Sequence, residues 1–141
     1  MTPLQALQHT LAGEHAAVYV YGVIGARVSV SQQPDLWQRV GEAYDLHRDR
    51  RDNLTAMVRA AGADPVAAEV SYELPNEART PGQLQQAALE TEQRCAAVYA
   101  DMVGSTSGAN RQWALDALED ASVRLLGFGG QAEPFPGVGE L

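Results

Sequence analysis

Three polar side chains break runs that are otherwise apolar every third or fourth residue: Glu14, His47 and Arg51. A carboxylate beside an imidazole is a ligand set for a divalent ion. A carboxylate beside an imidazole and a guanidinium is instead a set that neutralises itself. Two further carboxylates, Glu92 and Glu119, are expected at the same level of the molecule. Burying one carboxylate alone costs several kcal/mol, so Glu14 needs partners, and His47 and Arg51 are the ones its seam suggests. The elements that hold these residues decide between the two chemistries.

Those elements are helices. Thr2 before Pro3 and Thr80 before Pro81 each pair a capping oxygen with a proline at the first helical position, where its missing N–H costs nothing. The first helix is expected from Pro3 to about Ser29, and the second from Pro34 to Gly62. The third runs from Thr80 to Gly104, and the fourth, after the linker Gly104 to Gly108, to about Gly127, with Ser107 or Asn110 as its cap. The first seam reads Leu4, Leu7, Leu11, Glu14, Val18, Tyr21, Gly25, Val28. The second reads Trp37, Val40, Tyr44, His47, Arg51, Leu54, Val58, Ala61. Both step by three and four, the spacing of helices packed in a left-handed bundle. The third helix offers Leu84, Ala88, Thr91, Cys95, Val98 and Met102, flanked by Glu92 and Tyr99 among others. The fourth offers Leu115, Leu118, Ser122 and Leu125, with Glu119 at the edge. No segment alternates as a strand does, so the fold class is all-α, a four-helix bundle.

Short links make antiparallel hairpins of helices 1–2 and 3–4. The connection Ala63 to Thr80 can extend to about 59 Å, more than the roughly 40 Å length of a helix, so a crossover after helix 2 is expected, with simple up-down-up-down as the alternative. Val66, Val70, Tyr72 and Leu74 are its candidates for burial. The whole chain, 1–141, is expected as one domain, with the tail 128–141 packed on the bundle through Phe128, Phe135 and Val138.

Composition removes several functions. The 141 residues carry 18 acidic and 10 basic side chains, for a net charge of −8, and every base is Arg. That field disfavours nucleic acid and anionic membranes, and the absence of Lys removes Schiff-base and P-loop chemistry. A single cysteine, Cys95, suits a reducing compartment, and the longest apolar run, Ala16 to Ala26, is too short to span a bilayer. A cytoplasmic location is therefore expected. His47-Arg48-Asp49 copies a kinase catalytic-loop triplet without the remaining kinase motifs, and reads as coincidence on a helix. Cys95 reads as an inert buried thiol, and His9 and His15 as surface residues. Gly22, Gly25 and Ala26 read as a close-packing stripe, with a homodimer face as the sharper possibility.

The run Glu14-His15, the segment His47-Arg48-Asp49-Arg50-Arg51-Asp52 and the tail Phe135-Pro136-Gly137 resemble an actinobacterial ferritin-like group known as a domain of unknown function (number 4439). That resemblance implies the ferritin-like fold and no established activity. Dimetal members of the superfamily take one Glu from each of two helices and Glu-x-x-His from each of the other two. Glu-x-x-His is absent from this chain. Glu14 matches the single-Glu position of helix 1, and Glu92 that of helix 3. On helix 2 the corresponding levels hold His47 and Arg50 or Arg51, and Ser122 follows Glu119 three residues on. A guanidinium about 6 Å from a divalent ion repels it by about 5 kcal/mol.

The expectation is thus a non-catalytic interaction or structural module with a degenerate metal centre, its buried polar network being Glu14, His47 and Arg51. No cofactor is favoured. The alternative is a divergent di-iron or di-manganese oxidase or ferroxidase, with Glu14, His47, Glu92 and Glu119 holding Fe or Mn. Catalytic and cofactor-binding residues, and any protein or small-molecule partner, stay unassigned.

Overall fold

The computed structural model describes residues 1–138. Four helices carry it: α1 (Pro3–Arg27), α2 (Pro34–Ala60), α3 (Pro81–Ser105) and α4 (Gly108–Gly127). The capping signals act as their chemistry requires. Thr2 and Thr80 each accept from the backbone N–H three residues on, and Gln5 and Gln83 reach back to close the capping box. Gly62, at φ +80°, takes the left-handed conformation just past the end of α2. Ser107 stands at the N-cap of α4 but makes no side-chain capping bond.

Side-chain pairings fix the directions. Along α1, Glu14 meets His47 and Gly25 meets Val40, so α2 runs antiparallel to α1. Glu14 also meets Tyr99, and Tyr21 meets Glu92, so α3 is antiparallel to α1 as well. Helices α2 and α3 are then parallel, and the segment between them must cross the whole bundle. It does so along α1: Gln8 donates to Asp64 O at 2.7 Å, His15 Nε2 lies 3.0 Å from Val66 O, and Arg27 donates to Glu77 O at 3.2 Å. Of its apolar residues, Tyr72 and Leu74 are half-buried, whereas Val66 is exposed and Val70 fully so. The strap is held to α1 by backbone and amide hydrogen bonds more than by a row of buried valines.

Apolar clusters close both ends. One gathers Val20, Tyr21, Ile24, Val40, Ala43 and Phe128, and the other Leu7, Leu11, Leu54, Val58 and Met102. Helix α1 packs on α2 and α3, and α3 on α4, while α2 and α4 scarcely approach backbone to backbone. The inner face of α4 is Ala114, Ala117, Ala121 and Leu125, rotated by one residue from the expected Leu115, Leu118 and Ser122. Alanines let α4 sit close to α3, and the leucines cover the flanks. In the tail Phe128 is buried, but Phe135 and Val138 are 72% and 51% exposed. Glycines make the contact instead: a Cβ on Gly137 would lie 2.3 Å from Ala96 O, so only glycine lets the chain cross α3 there. The last three residues of the tail expected to pack lie outside the described residues.

Candidate functional site

The waist of the bundle, between these two apolar clusters, has a polar centre, flanked by a third cluster of small residues including Ala17, Cys95, Ala96, Ala117 and Ala121. Glu14, His47 and Glu92 are buried there, one each from α1, α2 and α3, at 1%, 0% and 0% exposure. His47 bridges the two acids: its Nδ1 is 2.6 Å from Glu14 Oε2, and its Nε2 is 3.0 Å from Glu92 Oε1. A neutral imidazole has one donor, so satisfying both carboxylates requires the imidazolium. Burial opposes the charge, yet hydrogen bonds to Glu14 and Glu92 outweigh it and raise the His47 pKa from 6.5 to about 9. The Tyr21 ring lies flat against the imidazole, centroids 5.3 Å apart at 17°.

Two tyrosines serve the same acids. Tyr21 donates to Glu92 Oε1 at 2.6 Å, and Tyr99 donates to Glu14 Oε1. Burial first, then the neighbouring carboxylate, pushes both phenols well above their ordinary range, so both stay protonated as donors. Tyr99 O accepts from Arg50 Nη1 at 3.3 Å, and Arg50 Nη2 donates to Asp120 Oδ2 at 2.9 Å. The Arg50 guanidinium also lies over the Tyr99 ring, 5.2 Å from its centroid. One hydrogen-bonded chain therefore passes through all four helices: Asp120, Arg50, Tyr99, Glu14, His47, Glu92, Tyr21. Arg124 closes it, with Nη2 3.3 Å from Asp120 Oδ2 and Nε 4.0 Å from Glu92 Oε1. Three carboxylates, Glu14, Glu92 and Asp120, face three cations, His47, Arg50 and Arg124. Glu92 Oε2 is the buried side-chain oxygen without a partner among the described residues.

Glu14 and His47 lie where the seams put them, and Glu92 joins them from α3. Arg51, expected in the network, is not in it. Its side chain is 29% exposed and pairs at 2.8 Å with Asp52, while Arg50 is buried in the waist. Both arginines fall between His47 and Leu54 on a path of one three-step and one four-step, so spacing alone could not separate them. Asp120 does, because it approaches from the α4 side, where Arg50 points. Glu119, the α4 candidate, is exposed, and its neighbour Asp120 turns toward the waist. The alanine row of α4 was the signal that would have placed Asp120 rather than Glu119 beside the centre. Tyr99 and Arg124 were likewise missed as members, and Tyr21 was read only as a seam residue. Cys95 is buried, and burial followed by the charges of Glu14 and Glu92 raises its thiol pKa. His9 is exposed and His15 half-buried. Gly25 packs inward against Val40, its would-be Cβ 3.3 Å away.

A family model described as a domain of unknown function (DUF4439) matches residues 6–140. Among solved structures, a conserved hypothetical protein, rv2844, from Mycobacterium tuberculosis is similar at 28% identity and a TM-score of 0.83. The alignment covers 90% of this chain and 87% of that one. A dodecameric thioferritin, the bacterioferritin-related protein of Bacteroides fragilis, aligns at 19% identity and a TM-score of 0.76, over 90% of this chain and 82% of that one. The latter likeness carries the fold, which is ferritin-like and all-α. No curated protein matches the chain. Among the described residues no helix is long and apolar enough to cross a membrane.

Proposed function

The chain belongs to the DUF4439 family, and we propose that in it the ferritin-like bundle serves as a non-catalytic interaction or structural module whose centre is locked by a self-neutralised polar network. The observation that carries this reading is His47 placed between Glu14 and Glu92, with both ring nitrogens engaged by carboxylates. An imidazolium in that position supplies the positive charge that a metal would otherwise bring to two facing acids. The donor set does not fit a two-metal centre. Neither nitrogen of His47 is free to ligate, and the one inward carboxylate of α4, Asp120, is already paired with Arg50 and Arg124, the latter 4.0 Å from Glu92. Cations at that range oppose a divalent ion. Paired buried charges of this kind fix register between helices. Self-association or docking of another protein, in a cytoplasmic setting suited to the reduced Cys95, completes the proposal.

A second reading, a divergent di-iron or di-manganese oxidase, draws on one observation: the buried Glu92 Oε2 has no partner among the described residues. Elemental analysis of protein purified without chelator separates the two. The module reading expects Fe, Mn and Zn together below about a tenth of an equivalent per chain. Metal near one or two equivalents, with oxygen consumed on adding ferrous iron, would overturn it in favour of the oxidase.

A further inference from the structure

A cavity of about 300 Å³ lies beside the waist, between α1 and α3 and beneath the crossover, without taking in the charged network. It exists because α1 turns Gly13, Ala16 and Ala17 toward α3, three side chains too small to fill the space. Tyr72 of the crossover roofs it. That ring is held in place, tilted on Tyr19 at 5.6 Å, with its hydroxyl oxygen accepting the Glu69 N–H at 2.9 Å. An apolar cavity of about 150 Å³ is enough to take up benzene, so this one has room for a ring with a short chain attached. Most of the wall is apolar, as ligand pockets between helices are.

Two charged side chains line the same cavity, Arg94 from α3 and Glu73 from the crossover. They are not paired with each other, and neither belongs to an ion pair among the described residues. Both are exposed and stand at the cavity's rim in water, so a purely apolar guest would gain nothing from either. A simple anion would gain Arg94 but meet Glu73, in a chain of net charge −8. A simple cation meets the reverse conflict at Arg94. A neutral molecule bearing both charges answers both, and an apolar body fills the rest.

We propose that this cavity binds a small zwitterion with an apolar body, a free α-amino acid of aromatic or branched side chain, its carboxylate toward Arg94 and its ammonium toward Glu73. The test is titration calorimetry of the full chain with L-phenylalanine, 3-phenylpropanoate and 2-phenylethylamine. L-Leucine serves as the smaller amino acid, and the alkylation rate of Cys95, which lines the cavity and is the chain's one cysteine, is followed in parallel. The amino acids should bind at least about threefold tighter than either singly charged analogue, the scale of one exposed ion pair. Phenylalanine should slow Cys95 alkylation. The exposed-site variants Arg94→Gln and Glu73→Gln should each weaken phenylalanine binding about threefold, and Ala16→Leu, at a half-buried position, should block that binding with the melting temperature kept. Equal binding of all three phenyl compounds overturns the proposal. So does the absence of saturable heat with both amino acids, or undiminished binding by the correctly folded Ala16→Leu protein.

Discussion

The two ends of this bundle and its waist are held by different forces. At the ends, residues such as Leu11, Ile24, Leu54 and Met102 are buried at 0% exposure and exchange apolar contacts that have no direction. At the waist, equally buried Glu14, His47 and Glu92 exchange directed, charge-assisted bonds. An end can lose a methyl group and relax. The waist has no such tolerance, because removing one member leaves another charged and alone in a low dielectric. The ends are therefore expected to contribute stability without direction, and the waist to favour one register among the several that heptad spacing allows.

The largest expected effect follows from breaking the waist. Glu14→Leu leaves the His47 imidazolium and the Tyr99 hydroxyl without their acceptor, and should cost about 3–5 kcal/mol in urea unfolding. A loss no greater than that of an end-cluster truncation would mean that the waist is no more demanding than the ends. Leu54→Ala, in an end cluster, should cost about 3 kcal/mol through the cavity it opens. Equality of the two would blur the comparison.

Proton linkage sharpens it without a mutation. The folded His47 pKa, about 9, lies above its ordinary 6.5, so between those values the folded chain holds a proton that the unfolded chain has released. Its stabilisation is complete below about pH 6.5 and is lost as pH rises through about 9, for a total of about 3 kcal/mol. Denaturation midpoints from pH 6 to 9 should fall accordingly in the native chain and stay flatter in His47→Gln. A native profile as flat as that of the variant would show a neutral ring at the waist.

Arg50→Gln should cost about 2 kcal/mol, since it leaves Asp120 only Arg124 as a partner and removes the donor to Tyr99. Arg51→Gln should change stability by no more than about 0.5 kcal/mol, because its partner Asp52 is largely exposed. Reversal of that order, read from the same unfolding curves, would return Arg51 to the centre.

Helix ends, hairpins and the crossover were legible because each rests on local signals: Thr-Pro starts, glycine stops and a connection long enough to span a helix. Glu14 and His47 were legible because they interrupt apolar steps within their own helices. Arg50 was not, since three-then-four and four-then-three both lead from His47 to Leu54. Its burial depends on Asp120 of another helix. On α4 the leucines outweighed the alanines in any hydrophobic count, although close approach selects the smaller side chain. Phe135 was expected to anchor the tail by apolar area, yet glycine at 137 does so by permitting contact with the α3 backbone.

The crossover that makes α2 and α3 parallel has a kinetic side. Each hairpin joins neighbours in sequence and can form early, whereas the α1–α3 interface unites residues as far apart as Glu14 and Tyr99. His47 meets Glu14 inside the first hairpin, but gains Glu92 only when the second arrives. Docking of the two hairpins, with dehydration of that last acid, is the step expected to limit folding.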